Sequence, residues 1–146
     1  MAKTISTIQT LISNKISSLI DGGGIPLIKV VTNYGNGDFS GYPAAVIIPT
    51  GGQGKIEDTA VNERTFTFDV MLYQEQSQQA TNKTDAATKM TIICDAIIEA
   101  FDIDPDLARE VMKVEVVDYS FDFKPQTGTW NFATFKINAV VLVQHY

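Results

Sequence analysis

The chain has 146 residues, 45% of them hydrophobic, and seventeen acidic against eleven basic side chains leave a net charge of −6. That length suits one domain, 1–146, whose core its apolar residues fill without staples, and the lone Cys94 excludes an internal disulfide. The acidic balance opposes a dedicated nucleic-acid binder held by phosphate neutralisation. The absence of an apolar run near Lys3 argues against a signal peptide or membrane anchor, so an intracellular setting is expected.

Ile5, Ile8, Leu11, Ile12, Ile16, Leu19 and Ile20 recur at three-and-four spacing, which predicts an amphipathic helix over Thr4 to Ile20. Gly22, Gly23 and Gly24 end it, because a glycine takes the left-handed conformation freely, and Pro26 prevents continuation. The triple glycine is not a phosphate loop, since it closes a helix and no Gly-Lys-Ser/Thr follows. Leu27 to Thr32 reads as a strand, and the cluster Asn33-Tyr34-Gly35-Asn36-Gly37-Asp38 reads as a turn pairing it, hairpin fashion, with a second strand over Ala44 to Ile48. Pro49 and the polar run Thr50 to Asp58 then predict a long loop. Gly51-Gly52-Gln53-Gly54-Lys55 within it fails as a nucleotide site, for Pro49 replaces the first glycine of that pattern and Ile56 the Ser or Thr that holds magnesium.

The strongest signal follows at Glu63 to Glu75. Phe66, Phe68, Val70 and Leu72 occupy every second position, so one face of a strand is apolar while Thr67, Asp69 and Met71 take the other. Gln74 to Asn82 reads as a polar connection. Ala86 or Ala87, Met90, Ile93, Cys94, Ile97, Ile98 and Phe101 define a second helix from about Thr84 to Phe101, capped by Asn82 or Thr84, with Asp85 at the positive end of its dipole. Cys94 falls on the apolar face and reads as a small hydrophobe. The run Asp102-Ile103-Asp104-Pro105-Asp106 opens like a calcium loop, but Leu107 replaces the turn glycine and Lys113 the bidentate Glu, so it reads as a connection.

Met112, Val114 and Val116 alternate in one phase and Val117, Tyr119, Phe121 and Phe123 in the other, which predicts a β-bulge or bend near Val116-Val117 that lets both sets reach the core. Pro125 to Gly128 turns the chain. Trp130 to Val143 is the last strand, with Ala133, Phe135, Ile137, Ala139, Val141 and Val143 on one face. The expected fold is therefore α+β: a single mostly antiparallel sheet with two amphipathic helices packed on one face.

Catalytic signals are sparse. The one histidine, His145, stands one residue from the carboxyl end, and one His with one Cys cannot make a metal site of those ligands. Ser40 is one position off the nucleophile-elbow pattern, and a carboxylate pair drawn from Glu57, Asp58, Asp69 or the Asp102 cluster cannot be placed across a cleft by spacing alone. No enzymatic activity, cofactor or metal is expected. Loops remain as contact elements: Asn33, Tyr34, Asn36 and Asp38 in the first polar cluster, Gln53, Lys55 and Glu57 in the second, and Gln74 and Glu75 after the central strand.

The amino-terminal helix, the YPAAVIIP strand at Tyr42 to Pro49, the NERTFTFDVMLYQE strand at Asn62 to Glu75, the helix around DAIIEAFDIDP and two closing strands resemble the tail terminator, or tail completion, proteins of long-tailed bacteriophages. The resemblance covers essentially the whole chain. It implies a structural virion protein, assembled in the host cytoplasm, that forms a ring of commonly six subunits on the head-proximal end of the tail tube. Such a ring stops tube polymerisation and presents a docking surface to the head connector or stopper, while DNA passes through without specific binding. The neighbouring readings are a head-to-tail connector subunit, a tail tube protein and, from another class, a small-ligand-binding or enzymatic α+β domain.

Overall fold

The computed structural model describes residues 4–34, 39, 41–56, 61–75, 83–123 and 130–144. Helix α1, Ile5–Ser17, begins at Thr4, whose hydroxyl accepts the Thr7 N–H at 3.1 Å, and turns Ile8, Ile12 and Ile16 inward, all fully buried. It stops short of the expected Ile20 because a run of serines competes for its last carbonyls: the hydroxyls of Ser17 and Ser18 donate to the carbonyls of Ser13 and Lys15. The glycines that follow form a closed turn. Asp21 accepts the N–H groups of Gly23 and Ile25, Gly24 sits at φ +80°, and Ile20 bridges to Pro26.

Five strands make one sheet: β1 Val30–Asn33, β2 Ala44–Ile56, β3 Val61–Glu75, β4 Lys113–Phe123 and β5 Trp130–Gln144. Their order across the sheet is β1-β2-β3-β5-β4. Three of the four pairings are antiparallel; β1 and β2 run parallel, with Val30 opposite Ala44 and Asn33 opposite Ile47. The expected hairpin is thus replaced by a return. Asn and Gly residues in a sequence favour turning but do not set its direction, and β2 starts beside the first residue of β1.

A second difference lies in β2, which runs on to Ile56 where the polar composition predicts a loop. A register shift between Pro49 and Gly51 absorbs the proline, which has no N–H to give the ladder, and pairing with β3 then resumes from Gly51 opposite Thr67 to Ile56 opposite Asn62. At Gly52 the two strands approach so closely that a Cβ would collide with the Thr65 carbonyl oxygen. Glycine there serves contact between strands rather than flexibility.

Helix α2, Lys83–Ile103, places Met90, Ile93, Cys94, Ile97 and Phe101 inward as the periodicity predicts. Thr84 lies inside this helix rather than capping it, and Asn82 falls outside the described residues. Both helices pack on the same sheet face, meeting Ala45, Ile47, Phe68, Val70, Leu72, Phe135, Ile137 and Ala139 in one core. Phe68 and Phe135 are fully enclosed in it, and truncating either to Ala costs about 3–5 kcal/mol. No helix among the described residues is long and apolar enough to cross a membrane.

The bulge in β4 is present, between Val116 and Asp118. It returns Tyr119, Phe121 and Phe123 to the helix side, opposite Phe135, Ala133 and Asn131. Their burial departs from expectation: Val114 is enclosed, but Tyr119 remains 51% exposed and Phe121 47%. Met112, on the other side of the bulge, is exposed too. The reason is position, because β4 is the outermost strand and alternation specifies a face without specifying that anything covers it.

Candidate assembly surface

The residues expected to make contacts do not gather in one place. Asn33 and Tyr34 stand exposed at the end of β1, with Tyr34 in the left-handed region at φ 58°. Gln53 and Lys55 are strand residues near the far end of β2, opposite Thr65 and Glu63, rather than loop residues. Gln74 and Glu75 close β3 at its other end, opposite Asn131 and Trp130. Thr65 and Gln74 are separated by about 30 Å along one strand, so these groups cannot serve one small ligand. Asn36, Asp38 and Glu57 lie outside the described residues, as do Ser40, Asp58 and His145.

Gln74 is half-buried with its Oε1 unpartnered, and it lines a groove of about 460 Å³ with Asp21, Pro26, Leu27, Lys89 and Ile92. The groove mixes one acid, one base and apolar side chains without a convergent set of reactive groups. Cys94 offers no nucleophile, because burial, aided by the neighbouring Asp95 charge, pushes its thiol up to about 12. The acidic run after α2 fastens a turn. Asp104 accepts the Ala108 N–H at 2.9 Å and the Lys15 ammonium at 3.0 Å, and Asp106 accepts the Arg109 N–H at 3.1 Å. Together they hold Leu107, Ala108 and Arg109 at φ 47°, 58° and 69°. Among the described residues no three His, Cys, Asp or Glu side chains lie close enough to hold a metal ion.

Two exposed surfaces stand out instead, both on the helix side of the sheet. The first is an aromatic ridge on β4. Tyr119 and Phe121 lie 5.5 Å apart between ring centres, and each also meets the buried Phe135 ring, at 6.4 and 6.1 Å. Core packing therefore braces the two exposed rings from below. The outer edge of β4 is occupied near its start, where the Val114 N–H donates to the Pro105 carbonyl, but from Val116 to Phe123 no described strand lies beyond it. The second surface is a slot of about 410 Å³ on the opposite flank, lined by Ile5, Pro49, Gly52, Gly54, Arg64 and Phe66. Its floor is glycine backbone, and the Arg64 side chain lies across Gly54, with Nη1 3.7 Å from the place a Cβ would take.

A scan against protein-family models and a search of curated proteins both find no match for this chain.

The sheet face opposite the helices is polar at its centre and apolar toward β2. Thr67 donates to Asn138 at 2.8 Å, and Lys136 stands between Asp69 on β3 and Asp118 on β4 in the cross-strand register. At one end this face carries an aromatic corner, in which Phe39 stacks on Tyr73 and Tyr73 meets Phe132 edge-on at 5.5 Å. Sequence reasoning missed the β4 ridge because its residues alternate like core residues. The slot is hidden because glycines within a polar run read as loop. The signal available for both was the uneven spacing of apolar residues around Val116-Val117 and the three glycines within four residues at Gly51 to Gly54.

Proposed function

We propose that this chain is a tail-terminator-like virion subunit, one member of a ring that ends the head-proximal side of a phage tail tube and receives the head connector. The carrying observation is the β4 edge: an outermost strand beyond which, from Val116 to Phe123, no described strand lies, and whose Tyr119 and Phe121 remain about half exposed. A row of exposed aromatics on a long edge strand is a surface built for another chain, because an isolated sheet would blunt such an edge. The resemblance in Tyr42 to Pro49 and Asn62 to Glu75 supplies the identity of the assembly, and the net charge of −6 suits a ring whose wall does not retain passing DNA.

The test is reconstitution. Purified chain is added to tail tubes assembled without a terminator, and the tube ends are imaged by negative stain. Annular density at one end and arrest of further tube growth are the expected results. Tubes that keep growing with bare ends, or a free chain that copurifies with a small metabolite in a cavity, would remove this reading.

A further inference from the structure

We propose that successive copies join head to tail through the two surfaces described above, the Tyr119 and Phe121 ridge of one copy seating in the glycine-floored slot beside Arg64 of the next. The proposal rests on the ring reading and names its subunit contact.

Strand direction is the first argument. β5 runs antiparallel to both β3 and β4, and β3 antiparallel to β2, so β4 runs opposite to β2. A second copy set beside β4 with its helices on the same side therefore offers its β2 in the antiparallel sense, the pairing that needs no crossover. Both edges have open stretches for it. β1 pairs with β2 only as far as Ile47, and no described strand lies against the outer side of β2 from Pro49 onward. The open stretches lie toward opposite ends of the sheet, so neighbouring copies slide along the strand direction, as in closed sheets whose strands incline to the axis.

Side-chain register is the second argument. Tyr119 and Phe121 point to the helix side, and so do Gly52 and Gly54, which pair with Phe66 and Arg64. Antiparallel pairing that sets Phe121 opposite Gly52 sets Tyr119 opposite Gly54. Each ring then covers a strand glycine that has no side chain of its own, the arrangement by which aromatics stabilise edge glycines. Arg64, lying across Gly54, meets the Tyr119 ring face as a cation on an aromatic.

Charge favours head-to-tail over back-to-back association. Beyond the Lys113–Glu115 ion pair at 3.4 Å the charged side chains of β4 are acids, Asp118 and Asp122, so two β4 edges brought together gain no attraction, whereas the slot presents Arg64 to the Tyr119 ring. Two unlike patches make a heterologous contact, the kind that closes into a ring.

Single-cysteine variants test this directly. Tyr119→Cys and Gly54→Cys are made separately; the native Cys94 is buried, and the unsubstituted chain is the control. Under a mild oxidant, with and without tail tubes, the mixture of the two variants should yield a disulfide-linked pair that neither variant forms alone. A second variant, Phe121→Ser, should lose association at least about tenfold in concentration dependence with its urea midpoint nearly unchanged. Cross-linking of Tyr119→Cys with itself at the efficiency of the mixture would overturn the proposal in favour of back-to-back edges. Annuli on tube ends with no cross-link, or no association under any condition, would overturn it as well. A cross-linked pair that never caps tubes would leave this contact standing and sink the terminator reading.

Discussion

Gln9 donates from Nε2 to the backbone carbonyl of Ile47 at 2.8 Å, inside the core, at the residue where β1 stops pairing with β2. A buried strand carbonyl needs a partner once its neighbour strand ends, and a helix side chain supplies it. This makes Gln9, only 2% exposed, a structural polar residue on an otherwise apolar stripe of α1.

Gln9→Leu should therefore destabilise the chain by about 1–3 kcal/mol despite its greater hydrophobicity, because the Ile47 carbonyl is left buried and unpaired. Gln9→Glu should be worse, since a carboxylate brings acceptors where a donor is required. Urea unfolding followed by circular dichroism measures both, with an unchanged slope marking a loss of stability rather than of compactness.

Gly52→Ala should break the far half of the β2–β3 ribbon, since the new Cβ meets the Thr65 carbonyl, a backbone atom that cannot swing aside. Gly51→Ala meets no atom within 4 Å and is the control. The expected loss is about 1–3 kcal/mol at Gly52. Amide exchange should rise from Gly51 to Ile56 in that variant alone.

The strands β3 and β5 were legible as strands because each is flanked by neighbours on both sides, so strict alternation in Phe66 to Leu72 and Ala133 to Val141 reports real burial. The register slip at Val116-Val117 was legible because the apolar residues change phase there, from Val114 and Val116 to Tyr119, Phe121 and Phe123. The parallel entry of β2 was not, because Asn and Gly residues announce a turn without announcing its direction. The second half of β2 was hidden by its composition, since Gly, Gln and Lys read as loop when pairing with β3 is what holds them extended. The candidate surface was least legible of all. Tyr119 and Phe135 alternate alike, and only the order of strands in space separates an edge from a centre.

Leu107, Ala108 and Arg109 take three successive left-handed conformations, each costing roughly 1 kcal/mol or more for a residue with a Cβ. The buried Leu107 anchors the turn and cannot be changed freely. Ala108 is exposed, so Ala108→Gly should stabilise the chain by up to about 1 kcal/mol where glycine ordinarily weakens a protein. A higher melting temperature in calorimetry is the expected outcome, and a lower one would mean that the entropy lost by glycine outweighs the relieved strain.

Cys94 should behave as a core atom. With its thiol pushed up to about 12 by burial and by Asp95, almost none is thiolate at neutral pH. An aromatic disulfide reagent should label the folded chain far more slowly than the unfolded chain, in step with global unfolding across a urea series. Fast labelling in water would show that α2 opens locally.

The Lys15–Asp104 pair ties α1 to the turn after α2 at 3.0 Å. The Asp104 carboxyl is held below its ordinary value, first by the Ala108 N–H and then by Lys15, so the folded chain binds its proton less readily than the unfolded chain. The sign follows: its contribution is complete above the unfolded carboxyl value of about 3.9 and is lost as pH falls through the lower folded value. Both side chains remain about a quarter exposed, so the share is modest, under about 1 kcal/mol for the ion pair. Asp104→Asn should lower stability at pH 7 and flatten the decline between about pH 4 and pH 2 relative to the parent chain, read by urea midpoints across that range. Equal slopes in the two proteins would mean that the turn is held by its backbone alone.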